Sequence, residues 1–319
     1  MVFRRKSNDV SIACGSRGSG APRGVGQEQL GVPGPMVRRI DVAGAGGVRL
    51  AAWEYEGAVP GSGGLRPGVL LLHGLLGRGS HWAGSAGWLA ERHRVIALDQ
   101  RGHGSSERSP GAYSRAAYVG DVRAVVESLE LGPAVLIGHG LGALTAWQFA
   151  AQQPESVRAL VISDMRASPL GFAALREWVD WLRGWPLPFA SLAEAEKWFA
   201  AGDPWLERPN AARGAYYAEI MDRAADGWRP VFDPEHMITS REAWVHDSHW
   251  DELSQVACPT LVLRGTAGEL GRAEAQEMVR VLPRGQYAEL RGAGHLAHYE
   301  RQEAWREAVE PFLAGALTS

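Results

Sequence analysis

Residues 134–151 read AVLIGHGLGALTAWQFAA, and this stretch decides the architecture. Ala134–Ile137 is a short, unbroken apolar run, as expected of a parallel strand covered on both faces. Gly138-His139-Gly140-Leu141-Gly142 follows at once, and Ala143–Ala151 continues as a helix. Strand, glycine-rich turn and helix in direct succession form the repeating unit of open parallel sheets. Ligands of such sheets sit at the carboxyl ends of the strands, so the loops there are where chemistry is sought.

The same unit recurs on both sides. Upstream, Gly68–Leu72 (GVLLL) and Arg94–Leu98 (RVIAL) read as buried strands, with helices over Trp82–Arg92 and Ala116–Leu129. In the second helix Tyr118, Val122, Val125, Val126 and Leu129 share one face. Val37–Val42 and Val48–Tyr55 read as a hairpin around the Gly44–Gly47 cluster. Downstream come strand Val157–Ser163, strand Thr260–Leu263, helix Arg272–Val281, strand Gln286–Leu290 and helix Gln302–Leu313. The expectation is an α/β fold: a doubly wound, mostly parallel sheet of about eight strands.

One long segment interrupts the alternation. Residues 166–255 lack strand patterning and hold eight of the thirteen tryptophans: Trp178, Trp181, Trp185, Trp198, Trp205, Trp228, Trp244 and Trp250. Tryptophan at helical spacing usually packs a core. As a set these residues predict a helical lid over the strand ends with an aromatic-walled pocket, and Trp178, Trp181 and Trp205 are candidate substrate contacts. Asp203-Pro204 and Asp233-Pro234 read as turn or helix-start signals. The expected division is a core of residues 36–165 and 256–316, the lid 166–255, and a leader 1–35. That leader is rich in Gly, Arg, Ser and Pro, lacks apolar periodicity and reads as disordered. Its apolar stretch Val10–Ala13 falls short of the ~7–15 residues of a secretory signal.

Composition excludes several classes. The 319 residues are 45% hydrophobic and 22% charged with net charge −3, which argues against a basic nucleic-acid binder. No window reaches the roughly 18–20 apolar residues of a membrane span. Two cysteines make neither a disulfide scaffold nor a Cys-rich zinc site, and a cytoplasmic setting fits them. No phosphate- or dinucleotide-binding glycine motif is present, and His246-Asp247-Ser248-His249 lacks the HExxH spacing, so no cofactor and no metal are expected. The expected partner is a small molecule; the oligomeric state stays open.

Four loop motifs carry the chemistry. They are His73-Gly74-Leu75-Leu76-Gly77; Asp99-Gln100-Arg101-Gly102-His103-Gly104-Ser105; Gly138-His139-Gly140-Leu141-Gly142; and Gly292-Ala293-Gly294-His295, followed by His298 and Glu300. In this order, each after its strand, they resemble the α/β-hydrolase superfamily in its lid-bearing branch of esterases, C–C hydrolases, epoxide hydrolases and haloalkane dehalogenases. The resemblance covers about residues 36–316. It implies that the N–H groups of Leu75 and Leu141 form an oxyanion hole, that His295 is the general base, and that the nucleophile belongs at Gly140. The family's usual acid position falls on Gly268 in Gly265-Thr266-Ala267-Gly268, with Glu269 one residue on. Some members place the acid at the end of the sixth strand instead, where this chain has Asp164. Asp164 is the preferred acid and Glu269 the alternative. His73 and His103 are expected to hold loops by hydrogen bonds, and Asp99 to anchor its own loop.

Gly140 constrains every functional reading, because glycine has no atom that can attack a carbonyl, an epoxide or a carbon–halogen bond. The expected function is non-covalent acid/base chemistry by His295 with an oxyanion hole, acting on a small apolar or aromatic substrate. It would hydrolyse an activated ester, or carry out an elimination or a rearrangement. The alternatives are a pseudo-hydrolase that only binds a small molecule, or a serine esterase whose nucleophile was replaced.

Overall fold

The computed structural model describes residues 36–57, 67–108 and 111–318. The expected disordered leader 1–35 lies outside the described residues. Eight strands form the main sheet: β1 (Met36–Ala43), β2 (Arg49–Glu56), β3 (Gly68–Leu72), β4 (Arg94–Asp99), β5 (Ala134–His139) and β6 (Val157–Ser163), then, after a small strand pair outside this sheet, β9 (Thr260–Ala267) and β10 (Gly285–Gly294). Their spatial order is β1-β2-β4-β3-β5-β6-β9-β10. The pairs β1–β2 and β2–β4 are antiparallel, and every later pair is parallel. Helices α1 (Ala83–Leu89), α2 (Arg115–Ser128), α3 (Leu141–Gln152), α9 (Arg272–Val281), α10 (Ala297–Glu300) and α11 (Gln302–Thr318) accompany the sheet.

Both faces of the sheet are covered, which is why its central strands read as continuous apolar runs rather than alternating ones. Leu70, Leu72 and Leu136 pack to one side with Val122, Val125, Leu144 and Met278. Their neighbours Val69, Leu71, Val135 and Ile137 pack to the other with Leu89, Trp305 and Phe312. Each fully buried Leu, Val or Ile contributes roughly 1.5–3 kcal/mol through burial. The approach of α3 to the sheet depends on Gly142, where a Cβ would stand 2.3 Å from the Leu72 carbonyl oxygen.

Between β6 and β9 the chain leaves the sheet. It forms α4 (Gly171–Arg183), α5 (Leu192–Lys197), α6 (Ala211–Glu219), α7 (Pro234–Glu242) and α8 (Trp250–Ser254). Asp233 caps α7 through the Glu235 N–H (2.9 Å) with Pro234 in its first turn, as the Asp-Pro pair signals. The segment is not purely helical. Antiparallel β7 (Met221–Ala224) and β8 (Gly227–Pro230) make a hairpin, a correction to the expected absence of strands there. Ala225-Asp226 form its two-residue turn, and Gly227, the first residue of β8, adopts φ +145°. The four-residue strands are too short to show alternation. Among the described residues, no helix is long and apolar enough to cross a membrane.

Candidate active site

The parallel strands deliver the four motif loops and the β6 end to one edge of the sheet. At the end of β5, Gly140 turns the chain into α3 with φ +50° and ψ −121°, a conformation costly for any residue with a side chain. Its N–H donates to the Ser163 carbonyl (3.0 Å), which ties the turn to β6. A Cβ at 140 would lie 3.7 Å from Gly74 Cα and 3.8 Å from His295 Nε2, both ordinary contacts. The backbone therefore presents position 140 directly to the His295 ring.

His295 follows β10. Its Nδ1 lies 2.7 Å from Asp164 Oδ2. Asp164 sits just beyond β6 at φ +45°, held there by its N–H on the Leu263 carbonyl (2.9 Å). The Asp164 carboxylate also accepts the N–H groups of Glu269 (2.8 Å) and Leu270 (3.3 Å). Its side chain is fully covered, whereas the His295 side chain keeps 32% of its surface accessible. The ring thus stands between a buried carboxylate and the accessible side of the site. No described residue hydrogen-bonds His295 Nε2.

Of the two candidate acids, Asp164 bonds the ring and Glu269 does not. Position 268 is compatible with this only because it is glycine: a Cβ there would lie 2.4 Å from Asp164 Oδ1. Glu269 acts at longer range. Burial by itself would lower the His295 pKa, but the Glu269 charge and the bonded Asp164 carboxylate outweigh it and raise the pKa to about 9, with Arg241 opposing. Glu269 in turn is held below its ordinary value, chiefly by His295 against its own burial, and then by Arg241 and Arg166.

The N–H groups of Leu75 and Leu141, the two expected oxyanion donors, make no hydrogen bond to any described residue. Leu141 is the first residue of α3, where backbone N–H groups lack intrahelical partners and the helix dipole favours negative charge. The Leu75 loop is braced by two histidines. His73 Nδ1 donates to the Gly74 carbonyl (2.7 Å) while its Nε2 accepts the Gln100 N–H (3.0 Å). His103 Nδ1 donates to the Arg101 carbonyl (2.9 Å) while its Nε2 accepts the Leu76 N–H (3.3 Å). Burial lowers their pKa values to about 4 and about 3, so both stay neutral and keep these tautomers. Asp99 anchors its loop by accepting from Gly79 (2.6 Å), Trp53 Nε1 (3.0 Å) and Ser105 (2.9 Å).

Two residues contribute beyond the sequence reading, which gives His139 no catalytic duty and does not single out Arg241. His139 packs its ring 4.4 Å from that of His295 and donates from Nε2 to the His295 carbonyl (3.0 Å), fixing the backbone beneath the candidate base. Arg241, on α7, carries its guanidinium 4.6 Å from the Trp178 ring centre and 5.3 Å from that of Trp244. Trp178 and Trp244 thus flank one guanidinium, and Trp244 lines a cleft with Asp164 and Glu269. Trp181 is committed elsewhere: its Nε1 donates to Asp203 (3.0 Å) and its ring stacks on the half-exposed Trp205 at 5.1 Å. Trp181 also meets Trp178 (6.4 Å between ring centres), but among the described residues neither Trp181 nor Trp205 makes a direct ring contact with His295.

With this geometry established, comparison with known proteins defines the class. The model of a family described as the alpha/beta hydrolase family matches residues 69–308. The chain belongs to that family and is hydrolase-like in its fold and its order of loops. It is 24% identical over 262 residues to epoxide hydrolase 1 of Caenorhabditis elegans, covering 78% of this chain but only 65% of that protein. It is 30% identical over 236 residues to a fluoroacetate dehalogenase from a Burkholderia species, covering 65% of this chain and 73% of that one. Among solved structures, E-2-(acetamidomethylene)succinate hydrolase superposes with a TM-score of 0.76 at 24% identity, over 88% of this chain and all of that one.

Proposed function

We propose that this chain acts on a small substrate with an apolar or aromatic body by non-covalent acid/base chemistry at His295. Residues 166–255 would serve as the lid over a core of residues 36–165 and 256–316. The observation that carries the proposal is the pairing of His295 Nδ1 with Asp164 at 2.7 Å, with the unbonded Nε2 facing a position that has no nucleophile.

The chemistry follows from that arrangement. Neutral Nε2 takes a proton from water as the water oxygen bonds to an activated carbonyl carbon. Asp164 stabilises the imidazolium formed, and the N–H groups of Leu75 and Leu141 hold the oxyanion. Collapse of the tetrahedral species expels the leaving oxygen, which takes the proton back from Nε2. A positioned general base contributes about 10²–10⁴-fold and an oxyanion donor about 10²–10³-fold, enough for an activated ester, an elimination or a rearrangement. An unactivated amide needs more.

The test is turnover of p-nitrophenyl valerate by wild type and His295→Ala across pH. The proposal expects His295→Ala to lose at least about 100-fold in kcat/KM, with wild-type activity rising toward pH 9. Equal activity of the two proteins refutes it.

A further inference from the structure

Arg241 is a half-buried cation with no directly paired anion among the described residues. Its Nε is fully covered and has no hydrogen-bond partner. No described carboxylate lies within ion-pair distance of its guanidinium, whereas Arg213 of the same insert pairs with Asp203 (2.5 Å) and Arg166, at its start, with Glu274 (2.9 Å). Trp178 and Trp244 contact it through their rings. Ring contacts engage the flat faces of a guanidinium and leave its edge N–H groups, which are the ones shaped for a carboxylate.

Its position is equally informative. Trp244, whose ring the guanidinium contacts at 5.3 Å, lines one cleft with Asp164 and Glu269, and the Arg241 charge bears on both His295 and Glu269. Arg241 therefore belongs to the same charge cluster as the reacting ring. The tryptophan-flanked guanidinium offers an anionic group a place within this cluster.

We propose that Arg241 is the substrate's anchor: a binding residue whose guanidinium edge takes a carboxylate borne by the apolar or aromatic body while Trp178 and Trp244 pack beside it. The class of substrate is thus a small organic acid whose reactive carbonyl or acidic proton sits a few bonds from its carboxylate. This deepens the acid/base reading of His295 and rests on it for the identity of the ligand as a substrate.

Two measurements keep the ideas separate. The first compares p-nitrophenyl hydrogen glutarate with p-nitrophenyl valerate, which share acyl length and leaving group and differ in a terminal carboxylate against a methyl. Wild type should favour the glutarate ester by at least about 10-fold in kcat/KM, Arg241→Gln should bring the ratio near one, and Arg241→Lys should restore part of it. The second is independent of turnover: tryptophan fluorescence titration of His295→Ala with phenylacetate and with phenylacetamide. Phenylacetate should bind at least about 10-fold more tightly, and adding Arg241→Gln should remove that preference. Circular dichroism verifies that each variant is folded, and Arg241→Lys serves if Arg241→Gln is not. Equal affinity for the two probes, or a preference that survives loss of the guanidinium, overturns the anchor whatever the esters do. A lost ester activity beside an intact binding preference counts against the acid/base reading and leaves the anchor standing.

Discussion

A Cβ at residue 268 would stand 2.4 Å from Asp164 Oδ1, so the carboxylate that orients His295 can occupy its place only while residue 268 is glycine. By the resemblance of the chain's loops to the family's, the two positions are alternative sources of one acid. Gly268→Ala should push the Asp164 carboxylate off the ring, lower kcat/KM by about 100-fold and cost about 1–3 kcal/mol through overpacking. Activity assays and thermal unfolding check this. The paired exchange Asp164→Gly with Gly268→Asp should retain more activity than Asp164→Gly alone.

The raised pKa of His295 sets opposite pH trends for activity and stability. A base must be neutral, so log kcat/KM should climb with unit slope from pH 7 and level off above about 9. The stabilisation from protonated His295 has the other sign. It is present in full below the unfolded value of 6.5 and is lost as pH rises through the folded value of about 9. Asp164→Asn removes one of the causes that raise the pKa and should move the activity inflection to lower pH. Paired pH–rate and urea-unfolding series test this; activity falling across the same window contradicts it.

Most of the scaffold was legible before any coordinates, for a physical reason. Strands buried on both faces are unbroken apolar runs, and β3, β4, β5 and β6 each end in a conspicuous polar or glycine-rich loop. The motif loops after them located His295, Leu75, Leu141 and the elbow at Gly140. The preference for Asp164 over Glu269 was already legible from its place at the end of the sixth strand; what sequence could not show is the steric reason, that the Asp164 carboxylate fills the space beside residue 268. Hairpin β7–β8 was missed because four-residue strands show no period and its turn, Ala225-Asp226, carries no glycine. Arg241 was missed because an arginine on a short polar helix reads as a solvated face. Only the tertiary fold brings α7 against Trp178 of α4 and Arg241 between two tryptophan rings.

Gly140→Ser tests what the missing nucleophile means. The turn can accept the side chain, since its Cβ has no contact closer than 3.7 Å. The positive φ should cost about 1–3 kcal/mol, read as a lower unfolding midpoint. The account expects no gain in p-nitrophenyl valerate turnover. A gain of two orders of magnitude or more would identify the chain as an esterase lacking its serine.

Stability should also depend on a buried ion pair behind the loop after β4. Arg101 donates from Nε and Nη2 to both oxygens of Asp121 (2.6 and 2.7 Å) and also holds the Ala112 and Ala45 carbonyls. Asp121→Ala leaves the guanidinium buried and unpaired, and should destabilise the chain by about 3–5 kcal/mol in chemical denaturation.

The most direct test of the central claim is rapid-quench intact mass spectrometry during p-nitrophenyl valerate turnover. The account predicts that the chain keeps its unmodified mass at every time point while product accumulates. A valeryl adduct that forms and decays at a rate competent for turnover would show that some residue of the site becomes covalently acylated, and would contradict the account.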